Sequence, residues 1–398
     1  MPIDSNKLKT YVNGVILATF ILLTGLSIVL GLLCVYPIRF IDYGIYRQFV
    51  RLGQQTVGSA LVILVYLLAP TQLVLTGDHA ALGREKIVLM ANHQIYPDWI
   101  YLWCLAWYTK NHGDLKIILM HYLRHIPIIG WLCLFFEFIF MKQKWALDCD
   151  NMTKHLQRAK QEKSLWLVIF PEGTLNTPGN IAKSRDYAEK NGIKEHPRHV
   201  ILPKSRGLQY AMSVLRPQVR TLVDVTIGYS GISADQIPYD AYLVENVFMK
   251  SIYPKQIHLH VRTFDIDKIP GFDGSLIGDE GEKKRFEEWL RARYMEKDAM
   301  MVDFFSRGRL DPNVVEEKPY SLEKAVRSDI AASPVTSRAR ESSVTQRDVR
   351  EKRKVVNVVP DLNDWVKVLI AWWTMKWTFP VVWWITRLLL SVLFFGYV

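Results

Sequence analysis

Cysteine is scarce in this sequence of 398 residues, and its four copies follow no recognised pattern. Cys34, Cys104, Cys133 and Cys149 form no Cys-x-x-Cys pair. Such scattered positions suit neither a zinc site nor a disulfide framework. We therefore expect reduced thiols that pack as small apolar side chains, and no bound metal.

Charged residues are also few. They make up 22% of the chain, whereas 49% of residues are hydrophobic, a balance that excludes an intrinsically disordered protein. The 50 Lys and Arg residues exceed the 39 Asp and Glu residues, which leaves a net charge of +11. That surplus suits nucleic acid, anionic lipid or a polyanionic substrate. Because no base-reading motif is present, we do not expect nucleic acid as a partner.

The first 70 residues are predicted to attach the chain to a membrane. No charged residue lies between Lys9 and Arg39, and the apolar run 15–36 is long enough to cross a bilayer core of about 30 Å. A signal peptide would have a shorter apolar run and a cleavage site, so we expect a retained anchor. The second apolar run, 57–69, is short for a span and predicts an interfacial or re-entrant helix that completes a hairpin.

The C-terminal segment is predicted to be membrane-associated too. Six of the 13 Trp residues lie in residues 365–398, and Trp is enriched where membrane meets water. Pro380 interrupts this segment, which predicts two short helices. The preceding residues are rich in Ser, Arg and Glu, which is typical of a disordered linker. Basic residues beside membrane segments favour the cytosolic side.

The central part of the chain is predicted to be an α/β domain, a mixed β-sheet flanked by helices. Short apolar runs predict strands at 72–76, 86–91, 115–120, 165–170, 221–228 and 256–264. Their apolar character indicates helices on both faces of the sheet. The predicted organisation is a membrane anchor at 1–70, the α/β domain at 71–311, a charged linker at 312–358 and membrane-associated helices at 359–398.

The first candidate for chemistry is the segment Asn-His-Gln-Ile-Tyr-Pro-Asp-Trp at 92–99. It follows a predicted strand, and Pro97 and Asp98 suit the start of a helix. His93 would then lie in the loop, with Asp98 able to bind one imidazole nitrogen and make the other more basic. The alternative is an ordinary loop histidine followed by a capping aspartate.

Two further segments follow predicted strands. Phe-Pro-Glu-Gly-Thr at 170–174 places an acid, a glycine and a hydroxyl at a strand's carboxyl end, where α/β folds bind ligands. Its alternative is a simple strand-to-turn junction. Ile-Leu-Pro-Lys-Ser-Arg-Gly at 201–207 ends an apolar run in a loop with two cations, which alone could equally be a solvated loop.

Four features follow one another along the chain: the motif around His93, Gly130 with the run 138–141, the motif around Glu172, and Leu-Pro-Lys-x-x-Gly. In this order they resemble the glycerolipid acyltransferase family. That family includes 1-acylglycerol-3-phosphate acyltransferases, and the resemblance covers about residues 71–264. The stretch 126–131 and Lys144-Trp145 look most like the lysocardiolipin and lysophosphatidylinositol acyltransferase branch. Relatives usually carry Arg where this chain has Gln143, which leaves the phosphate-binding role there open.

The resemblance implies transfer of a fatty acyl group from acyl-CoA, a co-substrate, to a glycerol hydroxyl of a lysophospholipid, with no bound cofactor. His93 would be the general base, and Asp98 would orient it, with no acyl-enzyme required. N–H groups near Gly207 or Asp98 would stabilise the oxyanion. The implied substrate-binding residues are Asn92, Glu172, Gly173, Thr174, Lys142, Lys144, Pro203, Lys204, Arg206 and Gly207; each cation could equally be solvated.

The same resemblance implies an integral protein of the endoplasmic reticulum membrane with a cytosolic catalytic domain, membrane lipids as partners and no specific protein partner. Two other hypotheses remain open at this point. One is a catalytically silent scaffold or tether of the same fold. The other is a hydrolase in which His93, Asp98 and Glu172 bind a metal.

Overall fold

The computed structural model describes residues 4–272, 279–310 and 353–395, with side chains as far as residue 384. Within these ranges one sheet contains eight strands. They are β1 Gln72–Gly77, β2 Lys86–Ala91, β3 Leu115–Met120, β4 Ile139–Met141, β5 Leu165–Ile169, β6 Thr221–Tyr229, β7 Gln256–Asp265 and β8 Lys354–Asn357.

Helices cover the sheet and extend beyond it. They are α1 Ser5–Val35, α2 Tyr43–Leu68, α3 Asp98–Tyr108, α4 Ile129–Phe135, α5 Trp145–Gln161, α6 Pro178–Lys190, α7 Ser205–Leu215, α8 Pro238–Ala241, α9 Val244–Phe248, α10 Glu280–Arg307 and α11 Leu362–Phe395. Short 3-10 turns at Tyr36–Phe40, His79–Gly83, His121–His125 and Ile266–Lys268 connect them.

The strands lie in the order β4-β3-β5-β2-β6-β7-β1-β8. The first five are parallel, so their carboxyl ends meet at one edge of the sheet. β7 and β1 run the opposite way, and β8 pairs antiparallel with β1. The prediction of a mixed sheet flanked by helices is confirmed.

Two apolar layers sandwich the sheet. In β2, Leu89 and Ala91 belong to the layer that contains α3, whereas Val88 and Met90 belong to the layer that contains α5 and α7. Because side chains alternate along a strand, burial on both faces requires the near-continuous apolar runs seen in the sequence. The strand runs predicted from those patterns are confirmed to within one or two residues at each end.

The alternation along β7 has a different outcome. Ile257, Leu259 and Val261 enter the first apolar layer. His258 and His260, on the opposite face, are also buried because α10 covers them, and the His258 ring lies 5.0 Å from the ring of Phe304. The polar residues of this strand therefore do not mark a solvent face.

α2 is longer than the predicted interfacial helix at 57–69. It begins at Tyr43, where Asp42 caps it, and polar residues of its first half pair with the sheet domain. Arg47 binds Glu162 at 2.6 Å and Arg51 binds Asp114 at 2.8 Å. Both α1 and α2 are long and apolar enough to cross a membrane, and 61% of the apolar window of α2 is buried inside the protein.

The C-terminal helix corrects a second prediction. α11 runs through Pro380 without a break, so the two predicted short helices are one. A single proline removes one backbone hydrogen bond, and packing against α1 and α2 supports the rest of the helix. The predicted linker is also shorter, since its end forms β8; residues 312–352 of it lie outside the described ranges.

Candidate active site

Two loops meet at the carboxyl edge of the sheet. β2 and β5 are adjacent and parallel, so the loops that follow them are neighbours although His93 and Glu172 are 79 residues apart. The His93 ring stacks on Phe170, with centroids 4.1 Å apart and planes inclined by 19°. The sheet therefore brings the two sequence motifs into one site.

His93 and Asp98 form a hydrogen-bonded pair, as the sequence predicts. Nδ1 of His93 lies 2.7 Å from Oδ2 of Asp98, and the same oxygen accepts from the backbone N–H groups of Gln94 at 2.7 Å and Ile95 at 3.1 Å. This carboxylate favours the tautomer with its proton on Nδ1. Asp98 is fully buried, whereas 20% of the His93 side chain is exposed.

The remaining carboxylate oxygen of Asp98 has a partner that sequence reasoning missed. Tyr229, the last residue of β6, donates its hydroxyl to Oδ1. Asp98 thus accepts from four donors. In the described ranges no side chain hydrogen-bonds Nε2 of His93, the atom that is left for a reacting group.

Glu172 lies beneath the His93 loop and is only 1% exposed. Its Oε1 accepts from the backbone N–H of His93 at 3.3 Å. Burial is the main cause that raises the pKa of Glu172 well above its ordinary value, and the nearby Asp98 charge acts in the same direction. The bond to the His93 N–H supports the loop from below.

Asn92 has a structural role that the sequence analysis did not anticipate. Its amide nitrogen donates to the carbonyl of Ile227 at 3.0 Å, and its amide oxygen accepts from the Ile227 N–H at 2.8 Å. The side chain is fully buried and ties the end of β2 to β6. These two bonds position the loop that carries His93, and a substrate contact of Asn92 stays a prediction.

A rim of exposed cations surrounds the Glu172 loop. Four cations are exposed: Lys142 and Lys144 in the loop after β4, Lys204 at the N-cap of α7 and Arg206 in its first turn. Arg206 places its guanidinium carbon 4.5 Å from the centre of the Trp145 ring, a cation–π contact that fixes its direction.

Gly173 lies at the centre of this rim. Its φ of +66° is a backbone conformation that favours glycine, and a Cβ there would come within 3.3 Å of Lys204 Nζ. Gln143 donates to the Gly173 carbonyl at 3.0 Å. Gln143, which departs from the family pattern, thus hydrogen-bonds the backbone of the Phe-Pro-Glu-Gly-Thr motif.

The other predicted residues are placed as follows. The Thr174 hydroxyl accepts from Asn180 at 2.7 Å, and Pro203 is buried. Gly207 lies in the first turn of α7, whose N-cap residue Lys204 makes no side-chain cap bond. The first N–H groups of a helix have no partner within the helix, so this end of α7 faces the rim with free donors.

A second missed residue is Asn176. Its backbone N–H donates to the His93 carbonyl at 2.9 Å, and its side chain donates to Oε1 of Gln94 at 3.1 Å. It lies two residues beyond Phe-Pro-Glu-Gly-Thr, so the motif could have been extended to include it. The two loops are therefore joined by backbone as well as side-chain bonds.

The metal hypothesis gains no support from the donor chemistry. Across the ranges the structure describes, no group of three His, Cys, Asp or Glu residues is arranged to hold a metal ion. Asp98 already accepts from four donors, and Glu172 accepts from backbone. These bonds suit orienting roles.

Comparisons with known proteins agree with this geometry. Residues 72–208 match the family model described as acyltransferase, and residues 248–330 match the one described as acyltransferase C-terminus. An uncharacterized acyltransferase of Schizosaccharomyces pombe is 32% identical over 287 residues, which cover 68% of this chain and 79% of that protein.

Two further relatives carry more specific names. The 2-acyl-1-lysophosphatidylinositol acyltransferase of Saccharomyces cerevisiae is 36% identical over 56% of this chain and 63% of its own length. The lysocardiolipin acyltransferase 1 of Mus musculus is 29% identical over 68% of each chain. The crystal structure of the 1-acyl-sn-glycerophosphate acyltransferase PlsC from Thermotoga maritima aligns at 18% identity and a TM-score of 0.43, covering 74% of this chain and 96% of that one.

The chain therefore belongs to the acyltransferase family that includes lysophospholipid acyltransferases, and it is an acyltransferase.

Proposed function

We propose that the protein is an acyl-CoA:lysophospholipid O-acyltransferase that acylates a free glycerol hydroxyl. The observation that carries this proposal is the His93–Asp98 pair, in which one imidazole nitrogen is fixed by a buried carboxylate and the other is open. The relatives named for lysophosphatidylinositol and lysocardiolipin support a lysophospholipid acceptor.

In this reaction the acceptor hydroxyl binds Nε2 of His93. As the oxygen attacks the thioester carbonyl, His93 removes its proton, because an alcohol is a weak nucleophile at neutral pH. An oxygen–carbon bond forms in a tetrahedral intermediate, and the carbon–sulfur bond then breaks. The imidazolium returns the proton to the departing thiolate, which leaves a phospholipid and free coenzyme A.

Asp98 orients His93 and stabilises the imidazolium, as the carboxylate does in a Ser-His-Asp triad. Here the substrate hydroxyl takes the place of the enzyme serine. The N–H groups of Gln94 and Ile95 already bind Asp98, so they are not oxyanion donors. The free N–H groups at the start of α7, near Gly207, are the remaining candidates.

The rim of Lys142, Lys144, Lys204 and Arg206 supplies charge for the substrates. Both substrates carry phosphate, on the lysolipid headgroup and on coenzyme A. The start of α7 adds helix N–H groups next to Lys204 and Arg206, a combination that favours anions. Glu172 and Gly173 then act by shaping the loop that lies between these cations rather than as direct ligands.

Two long apolar helices support the proposal that the site works beside a membrane that holds its lipid substrates. α1 and α2 are long and apolar enough to span a bilayer, and α1 also packs on α4 at the active-site side of the domain. The apolar stretch 128–140 is the proposed path for the acyl chain. We place the protein in the endoplasmic reticulum membrane with its site facing the cytosol, in keeping with the basic residues beside the membrane segments.

The test is product identification by mass spectrometry. Purified full-length protein in detergent–lipid micelles receives oleoyl-CoA with lysophosphatidylinositol or lysophosphatidic acid in parallel. A diacyl product from at least one acceptor is expected. His79→Gln is a matched control for His93→Gln, because His79 follows β1 at the opposite edge of the sheet. No product from a folded protein with any lysophospholipid would contradict the proposal and favour the scaffold hypothesis.

A further inference from the structure

The two carboxylate oxygens of Asp98 have different partners. Oδ2 accepts from His93 and two backbone N–H groups, whereas Oδ1 accepts from the hydroxyl of Tyr229. Tyr229 is fully buried and comes from β6, 131 residues further along the chain. The carboxylate that binds His93 is therefore held from a distant strand.

The Tyr229 hydroxyl has no other acceptor in the described structure. Its ring lies 6.1 Å from the rings of both Tyr101 and Tyr242. Tyr242 donates to the Ser230 carbonyl at 2.6 Å, and the Tyr101 hydroxyl has no partner among the described residues. Burial, followed by the Asp98 charge, raises the pKa of Tyr229 well above its ordinary value, so the hydroxyl remains a donor at physiological pH.

We propose that Tyr229 is a positioning residue: its hydroxyl holds Asp98 in register with His93 and takes up part of the Asp98 charge. This inference rests on the proposed role of His93 as a base. A hydrogen-bond donor that takes part of a carboxylate's charge weakens the pull of that carboxylate on a neighbouring proton. Without it, the protonated His93 would be stabilised, and a larger fraction of the enzyme would lack a free base.

Other groups face Asp98 and Tyr229 from every element packed around them. They are His93 after β2, Glu172 after β5, Tyr101 on α3, Tyr242 after α8 and, beyond Glu172, Lys297 on α10. All of them remain in Tyr229→Phe. A change in the titration of His93 in that variant therefore reports the missing hydroxyl.

The experiment measures how fast diethyl pyrocarbonate modifies His93 between pH 5 and pH 9, by mass spectrometry of the His93 peptide from full-length protein in micelles. In Tyr229→Phe we expect the midpoint to move to higher pH by about one unit, since a bond to a charged group is lost. Tyr101→Phe is the matched control: it removes an equally buried hydroxyl that has no partner among the described residues. Its midpoint should equal that of the wild type.

A second variant should move the labelling midpoint in the opposite direction. Tyr229→3-fluorotyrosine keeps the shape but makes the phenol a stronger donor, so the midpoint should move to lower pH. A purely structural role would lower the melting temperature of Tyr229→Phe without moving either midpoint, and that result would overturn the inference. Because the labelling needs no turnover, a wild type that forms no lipid product would contradict the proposed function, while shifted midpoints would still support the role of Tyr229.

The acyl-transfer rate provides a further check. The acid limb of kcat/KM should shift with the labelling midpoint in both Tyr229 variants, and KM for oleoyl-CoA should stay within about twofold of the wild type because Tyr229 lies below the site. An unchanged acid limb together with a raised KM would place Tyr229 in substrate binding and overturn the inference.

Discussion

Asp98 and Asp224 are both fully buried carboxylates, and their partners differ. Asp98 binds His93, whose side chain is 20% exposed. Asp224, in the middle of β6, binds Lys297 of α10 and Arg262 of β7, and the Lys297 side chain is completely buried. Both carboxylates accept several hydrogen bonds or ion pairs. The Arg262 side chain, 16% exposed, also binds Glu296, whereas Nε2 of His93 has no side-chain partner in the described structure.

That difference separates a reactive pair from a structural one. Burial raises the pKa of Asp224, but the charges of Lys297 and Arg262 have the larger combined effect and lower it. The carboxylate therefore remains charged, and the two cations balance its charge. Lys297 also donates a hydrogen bond to the Val225 carbonyl at 2.7 Å. His93, by contrast, keeps Nε2 open. Burial of an acid therefore does not mark the active site; an open atom on its partner does.

The largest effect is expected for His93. Replacing it with Gln removes the open nitrogen, and loss of a general base reduces rates by about 10²–10⁴-fold. The variant should fold normally, because His93 is not in the apolar core. Steady-state kinetics with oleoyl-CoA measures the rate, and circular dichroism checks the fold. The control variant His79→Gln should retain full activity.

The second largest loss of activity is expected for Asp98→Asn. The amide can no longer orient and charge-stabilise His93, so kcat should fall by about 100-fold or more while KM changes little. The same change at Asp224 should leave kcat of the folded fraction near the wild-type value. A kcat loss in Asp224→Asn as deep as in Asp98→Asn would contradict the separation of the two carboxylates.

The structural carboxylate is tested through its partner. Lys297→Met leaves Asp224 with one cation fewer inside the protein and should lower the free energy of unfolding by about 3 kcal/mol. Lys268→Met, at a side chain that is 83% exposed, should lower it by less than about 0.5 kcal/mol. Urea unfolding of both variants measures the difference; equal midpoints would show that the buried pair contributes nothing.

A smaller effect is expected at the cation rim. Lys204→Met and Arg206→Met should each raise KM for a phosphate-bearing substrate by about three- to tenfold, because a charge-assisted contact is lost. The increase should shrink at 0.5 M salt as the remaining charges are screened. Lys190→Met, on the exposed end of α6, serves as the control, and an identical KM in all three variants would exclude the rim.

The smallest effect is one of pH on stability. Burial, then the Arg353 charge, lowers the pKa of His258 to about 4. A histidine whose folded pKa is depressed stabilises the fold above its unfolded pKa of about 6.5, and that stability is lost as the pH falls towards 4. Neither ring nitrogen has a partner in the described structure. Between pH 7.5 and pH 5 the melting temperature of His258→Phe should therefore fall by less than that of the wild type. An equal fall in the two proteins would contradict this.

The sequence was sufficient for six of the eight strands of the described sheet and for the contact between His93 and Asp98, whereas β4 and β8 were not predicted. Strands buried on both faces leave continuous apolar runs, and His93 and Asp98 lie within one loop, so local spacing predicted their contact. Tyr229 could not be predicted, because its contact with Asp98 depends on the pairing of β2 with β6. No local pattern encodes such a distant pairing.

Packing overrode a local signal in one prediction and gave a second residue a role that was not predicted. Pro380 suggested a helix break, yet α11 continues against α1 and α2. Asn92 belongs to the most informative motif and was assigned to substrate, yet its amide completes the hydrogen bonding between β2 and β6.

The most direct test of the central claim is release of free thiol from oleoyl-CoA by the purified full-length protein in detergent–lipid micelles, with and without lysophosphatidylinositol or lysophosphatidic acid. The account predicts release that requires a lysolipid, disappears in His93→Gln and persists in His79→Gln. Wild-type-like, lysolipid-dependent release by His93→Gln would contradict it.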